Sequence, residues 1–217
     1  EIPGSLVGSE MCIRDRIFDR LSSTSLMLNS NISAIGERKL SNGEEEFEYD
    51  AIIKAFPTNN SKLTRGVWTL HFAATKSPLN GKYIMLNSNL KSKNNLISHL
   101  AVPSDIQPSY APLNQALITV TVVSEDANKH GLSSKQAIED SVKEELHQWF
   151  PNEVNDWRTL DVQFIESALP EFSGEDFDNL SKSTVTNCCG DNTYHGSVEG
   201  ALLSVHRVID NIVKNSM

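Results

Sequence analysis

Two segments of the chain alternate between large apolar residues and smaller or polar ones, which is the pattern of a half-buried β-strand. The large residues fall on one side of each segment: Trp68, Leu70 and Phe72 in residues 66–73, and Ile118, Val120 and Val122 in residues 116–123. Weaker strand patterns cover residues 82–86, 96–102 and 162–165. Because short turns join successive strands, we expect antiparallel pairing.

Residues 133–150 show the helical repeat of apolar positions instead. Ser133 is the predicted N-cap, with Gln136 completing a capping box. The predicted buried stripe is Ala137, Ile138, Val142, Leu146 and Trp149. The predicted water-facing charges are Glu139, Asp140, Lys143, Glu144 and Glu145.

Residues 26–57 predict paired strands around a turn at Ser41-Asn42-Gly43. Ile32 and Ile35 are expected to be buried, and the second strand is expected over residues 47–56. Lys54 is unusual for a buried strand, so it marks either irregular packing or a pocket. An ordinary surface position is the favoured interpretation of both Lys54 and Lys76, and no acid–base residue stands out.

Three connections also carry a prediction. Residues 103–110 predict a stiff, proline-containing loop that is either a surface crossing or, through Tyr110, a pocket wall. Residues 167–170 predict a turn, and the polar residues 171–183 predict an exposed connection. His71 and His99 fall in predicted strands with no partner pattern, so both are expected to be structural.

The composition, with 39% hydrophobic and 22% charged residues among 217, is that of a globular protein of one or two domains. A net charge of −9 without a basic stripe argues against a nucleic-acid partner. No run approaches the ~20 apolar residues of a membrane-spanning helix. Three cysteines, with Cys188 and Cys189 adjacent, suit neither a disulfide framework nor a metal site and favour a reducing compartment.

The most distinctive pattern lies near the C-terminal end, where residues 188–204 read Cys-Cys-Gly-Asp-Asn-Thr-Tyr-His-Gly-Ser-Val-Glu-Gly-Ala-Leu-Leu-Ser. A β-prone run at 184–189 ends there, and a helix is predicted from Val198, with Ser197 as its cap and Glu199 in its first turn. Gly196 and Gly200 let a ligand or another backbone come close. A capped helix behind such a loop suits an anion or an electron-rich atom, although a plain strand–loop–helix connection has the same pattern.

Residues 190–201 resemble the C-terminal flavin motif of FAD-dependent oxidoreductases of the flavin amine oxidase and phytoene desaturase superfamily. The order of strands and prolines over residues 72–120 is similar to the branch usually labelled NAD(P)/FAD-dependent oxidoreductases. The resemblance implies an α/β (α+β) fold. The chain would be the C-terminal part of a two-domain enzyme with a Rossmann-like FAD domain and an antiparallel-sheet substrate domain.

By this resemblance, the cofactor is FAD, and its binding residues are Ile32, Gly190, Asp191, Gly196, Ser197, Val198, Gly200 and Ala201. Ile32 would hold the adenine through its backbone, and Asp191 would lie beside the ribityl–pyrophosphate part. The start of the last helix would face the N1/O2 edge of the flavin ring. The implied reaction is hydride transfer from a small-molecule substrate to flavin N5. Val205 stands where many members have glycine.

The resemblance also divides the chain. Residues 17–57 would belong to the FAD domain, residues 58–170 to the substrate domain, and residues 171–217 to the returning last strand and helix of the FAD domain. Residues 1–16 resemble a translated sequencing-adapter artefact. Gly-x-Gly-x-x-Gly, which cradles the FAD pyrophosphate in the family, does not occur in the sequence. We therefore expect a fragment of a longer enzyme, inactive alone, from a cytoplasmic or plastid-like soluble compartment.

Two other functions stay open. A carotenoid desaturase or isomerase of the same superfamily would have a long apolar tunnel, whereas an amine oxidase-like enzyme would have a closed and partly polar pocket. A non-catalytic, β-rich binding module would bind no flavin even at full length. The sequence indicates neither the oligomeric state nor the substrate.

Overall fold

The computed structural model describes residues 24, 26–36, 38–56, 64–88, 95–171, 173–174 and 187–216. They form two compact units. The first, the sheet unit, is Thr64–Ala168, and the described residues of the second, the loop–helix unit, lie within Arg20–Leu63 and Leu169–Met217. The predicted artefact at 1–16, the predicted β-run at 184–186 and most of the predicted connection at 171–183 lie outside the described residues.

The described part of the sheet unit contains a five-stranded sheet in the order β5–β6–β7–β4–β8. Its strands are β4 (Thr64–Ala74), β5 (Met85–Leu86), β6 (Ile97–Ala101), β7 (Ala116–Val123) and β8 (Arg158–Pro170). β7 pairs antiparallel with β4 on one side and with β6 on the other, and β6 also pairs antiparallel with β5. The predicted antiparallel sheet is confirmed, although the strand predicted at 82–86 is reduced to β5.

Both strongly alternating segments bury the predicted face. Leu70 and Phe72 of β4 lie opposite Val120 and Ile118 of β7, and all four side chains are fully buried. Each such side chain contributes about 1.5–3 kcal/mol through burial. They join Ile138, Val142 and Leu146 of the long helix in one hydrophobic core.

The helices of the sheet unit are α1 (Pro103–Ile106), α2 (Ser124–Lys129) and α3 (Lys135–Trp149). Residues 103–110 are therefore not a loop, because α1 is followed by a 3-10 helix at Pro108–Tyr110. Each of these short helices begins with a proline, whose fixed φ suits the first helical position. In α3 the cap is Ser134 rather than Ser133, since the Ser134 hydroxyl accepts the N–H of Ala137 at 3.2 Å.

The turn predicted at 167–170 is also wrong, because these residues continue strand β8 to Pro170. Proline ends a strand without cost when its missing N–H has no ladder partner to serve. The Thr64 hydroxyl donates to Ser167 at 3.1 Å, which holds this end of β8 beside the start of β4. Strand β8 is thus much longer than the predicted 162–165 segment.

The loop–helix unit contains a small antiparallel sheet of β1 (Ser33–Gly36), β2 (Lys39–Ser41) and β3 (Glu46–Glu48). The predicted turn joins β2 to β3, and Gly43 there has a φ of +93°. Ile32 and Ile35 are 45% and 48% exposed, so the prediction that they are buried is wrong. Neither side chain belongs to the described hydrophobic core, whose residues are those of the sheet unit.

The strand predicted at 47–56 is mostly absent from the described residues, where β3 ends at Glu48. Lys54 instead forms a single parallel bridge with Cys188. Its N–H donates to the carbonyl of Asn187 at 2.8 Å, and its carbonyl accepts the N–H of Cys189 at 2.9 Å. The last helix, α4 (Val198–Ser216), follows a 3-10 helix at Asp191–Thr193.

Candidate functional site

The structure brings most of the predicted cofactor residues into one loop and helix start, residues 190–204, which we call the terminal motif. The predicted residues within it are Gly190, Asp191, Gly196, Ser197, Val198, Gly200 and Ala201. Ile32 belongs to the same unit but precedes β1. No hydrogen bond of the described residues joins it to the terminal motif.

Gly190 anchors the beginning of the loop to the second turn of α4. Its N–H donates to the Ser204 hydroxyl at 2.8 Å, and that hydroxyl donates to the carbonyl of Ala201 at 2.6 Å. The carbonyl of Gly190 accepts both the N–H and the hydroxyl of Thr193. Gly190 has a φ of +134°, which other residues rarely adopt. The sequence did not indicate the role of Ser204, because a serine inside a helix usually carries no such signal.

Ser197 caps α4 as predicted, because its hydroxyl accepts the N–H of Gly200 at 3.0 Å. Within the described residues, the N–H groups of Val198 and Glu199 have no hydrogen-bond acceptor. They point from the positive end of a 19-residue helix. The helix start can therefore donate two hydrogen bonds to an anion or an electron-rich oxygen.

Position 200 requires glycine because His195 of the same chain lies too close for a side chain. A Cβ at position 200 would overlap the carbonyl oxygen of His195 and lie 2.7 Å from the His195 Nδ1 atom. The sequence allowed either a ligand or another backbone to lie close to this glycine, and the structure shows a close backbone. Gly196 differs, since its nearest neighbour for an added Cβ is Pro170 at an ordinary 3.4 Å.

Asp191 is half-buried at the N-terminal end of the loop. In the part of the chain that the structure describes, its carboxylate takes part in no hydrogen bond or ion pair. It is therefore available to accept hydrogen bonds from a ligand. Next along the loop, the Tyr194 ring lies 5.2 Å from the His195 ring, and the Arg207 guanidinium lies 5.6 Å from the Tyr194 centroid. This cation–π contact was not predicted.

The two adjacent cysteines are free thiols. Cys189 is buried, and burial, with a smaller contribution from Cys188, raises the pKa of its thiol. A raised thiol pKa opposes nucleophilic chemistry, since the thiolate is the reactive form. Cys189 is therefore a small buried side chain rather than a reactive thiol. Lys54 and Lys76 are both exposed, as expected of surface lysines.

The sheet unit has a polar cleft of about 310 Å³ that includes His130, Ser141 and Gln148. Glu145 also lines it but is buried, which corrects the prediction that it faces water. One oxygen accepts the N–H groups of Leu96 and Ile97 at 2.8 and 3.0 Å, and the other accepts the Asn87 amide at 2.9 Å. The signal that could have indicated this burial is its spacing, three residues after Val142 of the buried stripe.

A smaller cleft of about 180 Å³ is lined by Tyr110, Pro112 and Arg158. His71 lies nearby in β4 with its Nδ1 3.1 Å from the Thr119 hydroxyl. Burial lowers the pKa of His71, against a smaller opposing effect of Asp161, and burial alone lowers the pKa of His99. Over the described ranges, no three His, Cys, Asp or Glu side chains are grouped as metal ligands.

Solved structures share this fold at low sequence identity. The PF1083 protein of Pyrococcus furiosus aligns with a TM-score of 0.57 at 18% identity, over 82% of this chain and 44% of its own. An oxidoreductase from Methanosarcina mazei aligns with a TM-score of 0.53 at 18% identity, over 70% of this chain and 35% of its own. A protein from Exiguobacterium sp. 255-15, described as a protoporphyrinogen oxidase, aligns with a TM-score of 0.62 at 13% identity. The alignment covers 93% of this chain and 50% of that protein's chain. The chain thus spans half or less of the length of these proteins.

A comparison with curated proteins finds no match to this sequence. None of the helices in the described ranges is long and apolar enough to cross a membrane. The sequence model of the flavin containing amine oxidoreductases matches residues 37–212, which include the sheet unit and the terminal motif. The predicted resemblance and the predicted fold are therefore confirmed. This chain belongs to the flavin containing amine oxidoreductase family.

Proposed function

We propose that the protein is an FAD-dependent, amine oxidase-like oxidoreductase that removes a hydride from a small-molecule substrate. The observation that carries the proposal is the start of α4, where the N–H groups of Val198 and Glu199 lack acceptors in the described structure. The Asp191 carboxylate, which has no partner among the described residues, lies in the loop that leads to this helix start. These donors and this acceptor stand at the positions that match the family's flavin motif.

The residues of the terminal motif suit a flavin chemically. The pyrimidine edge of the ring offers oxygen and nitrogen acceptors, and reduced flavin carries negative charge there, which a helix N-terminus stabilises. Val198 and Glu199 would donate to this edge, and Asp191 would accept from hydroxyl groups of the ribityl chain. The backbone of Ile32 would hold the adenine. A bound flavin supplies the two-electron acceptor at N5, and the protein supplies orientation and exclusion of water.

Residues 17–57 and 171–217 would form part of the FAD domain, and residues 58–170 would form the substrate domain. Large apolar side chains of the loop–helix unit are exposed at Leu26, Leu28, Ile53, Phe56, Leu202, Ile209 and Val213. These exposed apolar side chains are available to pack against further chain. Since the solved neighbours are at least twice as long as their matched parts, we infer that further chain covers these side chains.

The 217 residues alone would be inactive, because they contain no glycine-rich turn for the FAD pyrophosphate. The test is to express the longer protein that contains this chain and record its visible spectrum. Flavin absorption that bleaches with dithionite is expected, and chromatography of the released cofactor should give FAD rather than FMN. The 217-residue chain, treated with FAD in parallel, should stay colourless. A folded, colourless longer protein that takes up no FAD would overturn the proposal and favour a binding module.

A further inference from the structure

His195 contacts the cap of α4 through both its side chain and its backbone. Its Nδ1 atom lies 2.9 Å from the Ser197 hydroxyl, and its carbonyl accepts the Ser197 N–H at 2.7 Å. The same hydroxyl accepts the N–H of Gly200. A helix cap needs only the hydrogen bond from the Gly200 N–H to the Ser197 hydroxyl. The contact of the imidazole with that hydroxyl is an addition to an ordinary cap.

A serine hydroxyl has one hydrogen and two lone pairs. To accept from Gly200, Ser197 must turn a lone pair toward the helix, which is favoured when its hydrogen has an acceptor elsewhere. The Nδ1 atom of His195 is at hydrogen-bond distance for that hydrogen. Where the Ser197 hydroxyl donates to this atom, Nδ1 is the acceptor and the ring hydrogen is on the other nitrogen, Nε2.

The position of His195 is itself constrained from two sides. The missing Cβ of Gly200 leaves the space that its carbonyl and ring occupy. The Tyr194 ring, with Arg207 over it, lies beside the imidazole. The space beside Gly200 and the Tyr194 ring thus both fix the position of this histidine within the terminal motif.

We propose that His195 is a positioning residue that orients the Ser197 cap and thereby keeps the Val198 and Glu199 N–H groups directed at the flavin. The inference rests on the proposed function. It assigns His195 no direct part in the chemistry, since its contacts are with the cap. Loss of the contact between His195 and the Ser197 hydroxyl would let the first turn of α4 fray. The flavin would then lose aligned donors on its pyrimidine edge.

Three substitutions of His195 separate this role from a general loss of packing. In His195→Asn, the side-chain oxygen falls near the position of Nδ1 and can accept from Ser197. In His195→Gln, the amide reaches the position of Nε2 instead, and His195→Ala has no acceptor. In the longer holoprotein, we expect the Gln and Ala variants to bind FAD about five- to tenfold more weakly, and the Asn variant to remain within about twofold. The flavin midpoint potential should fall in the same two variants, because the reduced form loses stabilisation.

Two readouts do not depend on activity. Side-chain ¹⁵N shifts should show His195 protonated at Nε2, and amide exchange of Gly200 should be faster in the Gln and Ala variants than in the Asn variant. Ser197→Ala, which also removes the acceptor of the Gly200 N–H, should weaken FAD binding at least as much as His195→Ala, and the double variant should be no worse than Ser197→Ala. If the wild type binds FAD and all three His195 variants bind it equally, this inference is wrong while the proposed function stands. If the wild type binds no FAD, the proposed function itself fails.

Discussion

At the scale of single residues, Glu145 illustrates how a carboxylate becomes part of a core. Taking a charge out of water is costly unless hydrogen bonds replace the lost solvation. Here three N–H donors do so, two from the backbone just before and within β6 and one from Asn87. Asn87 also donates to the carbonyl of Ile97, so the carboxylate and the amide together hold this segment against α3.

We expect Glu145→Ala to lower the free energy of unfolding by about 2–4 kcal/mol, because it leaves two buried backbone N–H groups without an acceptor. Glu145→Gln should cost less, since one oxygen remains. Urea denaturation of the two variants measures the difference. Glu144→Ala is the matched control, because Glu144 is the exposed neighbour and should change stability by less than about 0.5 kcal/mol. Equal losses of stability for the Glu144→Ala and Glu145→Ala variants would contradict this role of the Glu145 hydrogen bonds.

The adjacent cysteines should differ in reactivity. Burial raises the pKa of Cys189, so at pH 8 less of it is thiolate, whereas Cys188 is only partly buried. With Cys12 replaced by serine, iodoacetamide should therefore modify Cys188 well before Cys189. Peptide mass spectrometry after timed quenching gives the two rates. They should converge in concentrated urea, and equal rates in the native protein would show that Cys189 is not protected.

At the scale of elements, the local pattern was a good guide to type and a poorer guide to ends. Residues 116–123 form β7 over the predicted range, because the alternation itself defines which residues the core requires. The start of α3 was misplaced by one residue, since Ser133 and Ser134 are both suitable caps. Residues 103–110 became two short helices, where proline favours either a turn or a helix start.

The cap of α3 gives a direct test at this scale. Ser134→Ala should lower the free energy of unfolding by about 1 kcal/mol, because the N–H of Ala137 loses its acceptor. Ser133→Ala, one residue earlier on the same exposed turn, should cost less than about 0.5 kcal/mol. Thermal or urea unfolding of the two variants in parallel decides between the caps. The reverse order would restore the capping box predicted from the sequence.

At the scale of the whole molecule, the two units differ in how they are stabilised. The described core is built from β4, β6, β7 and α3 of the sheet unit. In the loop–helix unit, hydrogen bonds around Gly190, Ser197 and Ser204 order the terminal motif, while apolar side chains on α4 stay exposed. We therefore expect the sheet unit to account for most of the cooperative unfolding of this chain.

The two half-buried histidines of the sheet predict how stability depends on pH. Burial lowers the folded-state pKa of His71 and His99 below the ordinary value of 6.5. The unfolded chain therefore binds protons first as the pH falls, so stability is complete above about pH 7 and declines below 6.5. His99→Gln should reduce the decline between pH 7.5 and 5. An unchanged decline in His99→Gln would contradict this assignment.

The features that the sequence determined by itself depend on residues that are neighbours in the chain. The two-faced strands β4 and β7, the buried stripe of α3, the cap of α4 and the family all follow from residues that lie close together in the chain. Periodicity records which face of an element is buried, and a motif records chemistry that needs neighbouring residues. Both can be recognised before the chain is folded.

Only the tertiary structure decided which distant groups meet. Glu145 accepts from Leu96 across 49 residues, and Lys54 pairs with Cys188. It also decided that Ile32 and Ile35 stay exposed, and that Gly200 makes room for His195. The physical reason is that a hydrogen bond or a close contact depends on the positions of two backbones after packing. No period or propensity along one of them specifies where the other will lie.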